Sequence, residues 1–199
     1  MPQRPKARTL NSGPSVAAIG LAVVLACEVL VACRTSAAHK PYQENGTMRL
    51  RSPAFEDHGQ IPPKYTCEGQ DAAPPLSFSD VPDNARTLAL IVDDPDAPDP
   101  KAPKMTWVHW VLYDIPPGAT GIGEGARPPA GSKEGVNDWA RTGYGGPCPP
   151  IGRHRYFHKL YALDTLLPDL KRPSKSQLEA AMDGHVIAEA HLIGTYQKK

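Results

Sequence analysis

The chain lacks a cationic surplus, C-x-x-C motifs and the usual hydrolase signatures, and each shortage removes a class of function. Setting aside Arg4, Lys6, Arg8 and Glu28, the charged residues among the first 32, the 22 basic and 21 acidic residues fall to 19 and 20. A near-neutral remainder lacks the basic excess of nucleic-acid binders, so no nucleic acid is expected as partner. The four cysteines include no C-x-x-C pair, which argues against a metal site. No Gly-x-Ser-x-Gly elbow and no His-Glu-x-x-His helix occurs, and nothing supplies a nucleophile with its own base. A hydrolase built on Asp94, Asp96, His109 and His154 is therefore the least favoured reading, and neither enzyme activity nor a cofactor is expected. No repeat at a fixed period is present.

What the chain does have is proline and glycine, 23 and 17 in 199 residues, which favours many turns over a helical bundle. Its 40% hydrophobic content is enough for one core. The N-terminus reads as an export signal: residues 1–14 are basic without an acid, and Val16 to Cys27 is an unbroken apolar or small run. That run is too short for a membrane span, and Glu28 interrupts its continuation. Leu30-Val31-Ala32-Cys33 resembles the lipobox of bacterial lipoproteins, in which the cysteine is lipidated. Cleavage after Ser36-Ala37-Ala38 is the competing reading. The division expected is a signal peptide over 1–32, a tether over 33–46 and the folded part over 47–199. The location expected is the cell envelope, with membrane attachment through lipid on Cys33 or, failing that, a soluble periplasmic or secreted form. Cys67 and Cys148 remain in the mature chain. In an oxidising compartment they most simply pair, and two free buried thiols are the alternative.

Along the folded part, Met48 and Leu50 open a short strand, and Ile61–Cys67 reads as a proline-bounded extended segment. Leu76 and Phe78 share one face of the next strand. Thr87–Val92 is a continuous apolar run, read as a central strand buried on both faces and ending at Asp93. In Thr106–Ile115, alternation puts Trp107, His109, Val111 and Tyr113 on one face and Val108, Trp110 and Leu112 on the other. Pro116–Trp139 is a glycine-rich connection. Tyr156–Leu163 is a further strand. Ser174 and Gln177 form a capping-box pattern for a helix ending near Gly184. His185–Tyr196 is ambiguous, with a strand favoured over its last half. The fold expected is mainly β, an antiparallel two-sheet sandwich with a C-terminal helix.

The most shaped stretch is Gly143–Gly152, with four glycines and three prolines in ten residues, followed by His154-Arg155-Tyr156. Proline stiffens such a loop, and glycine lets bare backbone N–H groups approach an anion. Asp94 and Asp96 end a buried strand, and His109 sits inside an apolar one. If these strands are neighbours, their ends line one pocket, with the carboxylate either keeping His109 protonated or accepting from a ligand proton or amine. Trp107 and Tyr144 are candidates to wall it. Arg155 is read as a structural ion pair. His39, His58, His158, His185 and His191 are read as structural or solvated.

Asp94-Pro95-Asp96-Ala97-Pro98, Trp107-Val108-His109-Trp110 and Gly145-Gly146-Pro147-Cys148-Pro149-Pro150-Ile151-Gly152-Arg153-His154-Arg155-Tyr156 resemble, in order and spacing, the phosphatidylethanolamine-binding protein family. The likeness is to its bacterial Raf-kinase-inhibitor-like branch, which Tyr65–Gly69 and Gly184-His185-Val186 also resemble. The resemblance implies a sandwich of two antiparallel sheets with C-terminal helical elements and a small pocket for phosphate-like headgroups. Carried over by position, it implies Asp94, His109, Gly146 (as a backbone donor) and Tyr156 as ligand contacts, with Pro98, Trp107 and His154 at the rim or wall. The chain departs at Val108, where some members have a second histidine. The function this implies is non-enzymatic binding of a phosphate-like anion or phospholipid headgroup, with a modulated protein target as a possible partner. A protein inhibitor of a serine protease, presenting the Pro116–Trp139 connection, is the alternative.

Overall fold

The computed structural model describes residues 47–199. The expectations for the leader, the tether and Cys33 lie outside the described residues. Two antiparallel sheets face each other. The smaller contains β1 (Arg49–Arg51), β2 (Leu76–Ser79) and β5 (Gly121–Ile122), in the order β1-β2-β5. The larger contains β3 (Thr87–Ala97), β4 (Met105–Ile115), β6 (Lys133–Glu134), β7 (Arg153–Leu163) and β8 (Val186–Gln197), in the order β6-β4-β3-β7-β8. The mainly β two-sheet architecture expected from the residues is the one observed.

The main core lies between the sheets. Leu50, Leu76, Phe78 and Ile122 of the small sheet meet Leu88, Leu90, Val92, Leu112, Leu160 and Leu192 of the large one. Each such side chain contributes roughly 1.5–3 kcal/mol on leaving water. A second core covers the outer face of the large sheet, where Ala89, Ile91, Val111 and Tyr113 pack on Leu178 and Met182 of α1 (Lys175–Met182). β3 is thus flanked by strands on both edges and covered on both faces, as its apolar run implies. Helix α1 begins as its sequence dictates: Ser174 Oγ accepts from the Gln177 N–H, and Gln177 Oε1 accepts from the Ser174 N–H.

Five local expectations are corrected. β3 does not stop at Asp93 but continues to Ala97, because its acids find ion-pair or hydrogen-bond partners on or beside the neighbouring strand. Lys159 and Lys175 lie at 2.8 and 3.1 Å from Asp93, His154 lies on Asp94, and Arg155 forks onto Asp96. The strict alternation of β4 fails at a β-bulge. Val92 pairs with Trp110 while the next residue, Asp93, pairs with Val108, leaving His109 as the extra residue. Beyond the bulge alternation holds, with Trp110 and Leu112 in the inter-sheet core and Val111 and Tyr113 in the outer one, whereas Val108 joins the outer core and His109 turns to Tyr156. Within Ile61–Cys67 the chain makes a 3-10 turn at Pro63–Tyr65 rather than staying extended. The Pro116–Trp139 connection contains β5 and β6, each two residues long and each held by pairing, with β2 and β4 respectively. Finally, the strand favoured for the last half of His185–Tyr196 takes the whole of Val186–Gln197 as β8, because its full length pairs with β7.

Cys67 and Cys148 are disulfide-bonded, with Cα atoms 5.4 Å apart. The bridge reinforces a seam that hydrogen bonds already make: Cys67 N–H donates to the Pro147 carbonyl at 3.1 Å, and Tyr144 O–H to the Tyr65 carbonyl at 3.0 Å. Tyr144 is therefore a core residue and not a wall of the pocket.

Candidate functional site

Because β3 lies between β4 and β7, the end of β3 and the beginnings of β4 and β7 come together at one edge of the sandwich. They enclose a cavity of about 350 Å³ whose lining includes Asp94, Pro98, Trp107, His109, His154 and Tyr156. Three sequence segments, the first and last about 60 residues apart, are thereby brought to one place. Gly146 is not in that lining. Its N–H donates to Asp71 Oδ1 at 2.6 Å, so the backbone donor expected there is already engaged. Gly146 is glycine for another reason: a Cβ would stand 2.5 Å from the Tyr65 carbonyl oxygen and 2.9 Å from the Thr66 Cα.

The polar groups pair differently from the sequence expectation. Asp94 does not hold His109; its Oδ2 lies 2.7 Å from His154 Nδ1, and its Oδ1 accepts the Asp96 N–H at 2.8 Å. His154 Nε2 donates to the Ile151 carbonyl at 2.9 Å. One proton is shared along the Asp94–His154 contact, and the pair is net neutral whichever side holds it. Burial pushes the Asp94 carboxyl above its ordinary range, opposed by the hydrogen bonds from His154 and Asp96. Asp96 is held below that range by the Arg155 guanidinium, confirming Arg155 as a structural partner.

His109 is 3% exposed, and its Nδ1 lies 2.6 Å from the Gly145 carbonyl. A carbonyl only accepts, so Nδ1 carries the hydrogen. Nε2 is then a bare acceptor, buried and without a partner. Burial lowers its pKa to about 4, so the ring is neutral at pH 7. The Tyr156 hydroxyl is likewise buried and unpartnered, and burial pushes its ionisation well above the ordinary value. The His109 and Tyr156 rings meet edge to face with centroids 5.1 Å apart. Two orphaned polar atoms on one cavity are unusual, since buried polar groups nearly always have partners.

Several residues of the site carried no readable signal. Trp139 stands edge-on to both His109 and Trp107, at 5.2 and 5.4 Å, and is 40% exposed. Asn137 shapes its loop, accepting the Trp139 and Arg141 N–H groups and donating to the Gly143 carbonyl. Ala97 and Met105 complete the lining, with Pro149, Pro150 and Cys148 from the glycine–proline loop that the sequence did mark. Among the described residues no group of three or more His, Cys, Asp or Glu is placed to hold a metal ion.

Residues 51–197 match the sequence model of the family described as phosphatidylethanolamine-binding protein. The chain belongs to this family. The UPF0098 protein of Methanothermobacter thermautotrophicus is 50% identical over 155 residues, covering 76% of this chain and 99% of that protein. Among solved structures, a phosphatidylethanolamine-binding protein homologue from Chlamydia trachomatis, CT736, is 46% identical with a TM-score of 0.72. It covers 77% of this chain and 99% of its own. Escherichia coli YbcL, described as a member of the mammalian PEBP family, is 29% identical with a TM-score of 0.68, covering 76% and 99%. A carboxypeptidase Y inhibitor solved with its proteinase shares the fold at 17% identity and a TM-score of 0.50, covering 78% of this chain and 84% of its own.

Proposed function

We propose that this protein binds a small phosphate-like group, a phospholipid headgroup among them, in the cavity at Asp94, His109 and Tyr156, and that it does so without catalysis. The observation that carries the reading is the pair of buried atoms without partners on that cavity, His109 Nε2 and the Tyr156 hydroxyl, beside a buried carboxylate. The chemistry around them holds and orients a polar head and offers it no activated nucleophile. The apolar rim of Met105, Trp107, Trp139 and the prolines suits the less polar remainder of such a ligand. The export signal would place the protein in the cell envelope, lipid-anchored through Cys33 or soluble after cleavage beyond it, where phospholipid is at hand. The alternative, a protease inhibitor presenting the Pro116–Trp139 connection, draws on likeness of fold alone, and β5 and β6 pin that connection to both sheets.

Phosphoethanolamine tests the proposal in a thermal melt. A ligand at 100 times its Kd stabilises by about 2.7 kcal/mol, which for a chain of this size raises Tm by roughly 5–10 °C. Tyr156→Phe should diminish the rise and His109→Ala abolish it. An equal rise in both variants removes these residues from the site.

A further inference from the structure

We propose that the Cys67–Cys148 disulfide is a thiol-exchange site on the rim of the cavity, and that its reduction by a dithiol frees the cavity wall at 148–152 and weakens ligand binding. The ligand half of the proposal rests on the binding reading above.

Position carries it. Cys148 lines the cavity together with Pro149 and Pro150, so one half of the bridge belongs to the binding site. Both cysteines are exposed, although Thr66, Pro147 and Pro149 beside them are buried. An exposed bridge is open to an external thiolate, and exposed bridges are the labile ones as a class. The exchange runs in two steps. One thiolate of the dithiol bonds to a bridge sulfur and expels the other as thiolate. The second thiol of the reagent then displaces the remaining cysteine. The reagent leaves as a disulfide, and Cys67 and Cys148 become thiols carrying the two protons it gave up.

What reduction frees is decided by the bonds around the bridge. Residues 144–147 keep theirs: Tyr144 O–H to the Tyr65 carbonyl, Gly145 N–H to the His109 carbonyl, Gly146 N–H to Asp71, and the Pro147 carbonyl to Cys67 N–H. The fold and the floor of the cavity therefore outlast the bridge. Beyond Pro147 the chain is held differently. Among the described residues, 148–152 has two bonded ties, the disulfide at Cys148 and the Ile151 carbonyl, which accepts from His154 Nε2 at 2.9 Å. Pro149 and Pro150 have no N–H to supply another. Without the disulfide this wall hangs from a single hydrogen bond. That bond leads into the site, because the same imidazole holds Asp94 through Nδ1 at 2.7 Å, and Asp94 lines the cavity.

The coupling is reciprocal. If the loosened wall stands in its binding position about a tenth of the time, apparent affinity falls about 10-fold. A bound ligand then disfavours reduction by the same factor, which lowers the reduction potential of the bridge by about 30 mV.

The test treats the full chain with dithiothreitol under native conditions and follows alkylation mapped to Cys67 and Cys148. Both should become alkylated with the far-UV circular dichroism unchanged; a bridge that survives until the protein melts overturns the proposal. Nitrogen-15 relaxation reads the wall without any ligand. Order parameters at Ile151 and Gly152 should fall from about 0.85 to below about 0.6 on reduction, while those at Leu90 and Ile91 hold. Unchanged values at Ile151 and Gly152 make the bridge a staple only and overturn the proposal. Phosphoethanolamine should bind the reduced protein about 10-fold more weakly than the oxidised one. The Cys67→Ser, Cys148→Ser double variant should bind it at the reduced value with or without dithiothreitol. Equal affinities in the two redox states, beside a loosened wall, overturn the coupling to ligand. An oxidised protein that does not bind phosphoethanolamine removes the binding reading instead, while a loosened wall still supports the exchange site.

Discussion

Replacing both Cys67 and Cys148 by serine should destabilise the fold without abolishing it. The bridge closes a sequence separation of 81 residues. In the chain-entropy account, a loop of that length gains the unfolded state about 4.5 kcal/mol of freedom when opened, and measured losses run at about 2–4 kcal/mol. The native side of the balance changes little, because the seam between 65–71 and 144–148 has its own bonds. Cys67 N–H to Pro147, Tyr144 O–H to Tyr65 and Gly146 N–H to Asp71 all persist without sulfur. A loss of about 3 kcal/mol corresponds to a Tm lower by roughly 6–12 °C. Calorimetric melting of wild type and double variant, each with and without reductant, reads this directly. Reductant should lower the wild-type Tm toward that of the variant and leave the variant unmoved. A double variant melting within a degree of wild type, or collapsing to an unfolded chain, refutes the reasoning: the first denies the cross-link its role, the second denies the seam its own strength.

Acid sensitivity should come in part from two buried imidazoles. His109 and His158 are both lowered to about 4, burial being the main cause. A folded pKa below the unfolded value near 6.5 gives stability that is fully present above 6.5 and lost as pH falls toward 4. Each group accounts for about 3 kcal/mol over that window. His158→Leu should remove about 1.4 kcal/mol per pH unit, one proton's share, from the slope of denaturation free energy against pH between 6.5 and 4, and an unchanged slope contradicts the assignment. Gly146→Ala should cost about 1–3 kcal/mol through overpacking against Tyr65 and Thr66, seen as a lower urea midpoint at unchanged slope. A midpoint equal to wild type would show that the close approach is not required.

What the chain reveals by itself is what local chemistry decides. The capping box at Ser174 and Gln177 is complete within four residues, and the apolar run Thr87–Val92 announces a doubly buried strand wherever it lies. The continuation of β3 through Asp93–Ala97 is invisible because the partners that neutralise it, Lys159, His154 and Arg155, lie about 60 residues away. The bulge at His109 is hidden for the same reason: a bulge is defined against the facing strand, and alternation along one strand cannot register it. Its effect on the site is large, since it brings His109 onto Tyr156 while Trp110 still enters the core. The residue types at the cavity were readable from their motifs, whereas their pairing was not. Asp94 has two histidines within its candidate set, and only the fold assigns it to His154. Asp71 and Asn137, which fix the glycine loop and the Trp139 loop, sit in stretches with no periodicity to mark them.

The most direct test of the account is a crystal structure grown at pH 5 with saturating glycerol phosphate and, in a second crystal, glycerophosphoethanolamine. The account predicts an ordered head in the cavity bounded by Asp94, His109 and Tyr156, with a ligand donor on His109 Nε2 and a ligand oxygen on the Tyr156 hydroxyl. Ligand ordered elsewhere on the molecule, with this cavity unchanged at saturation, would contradict it.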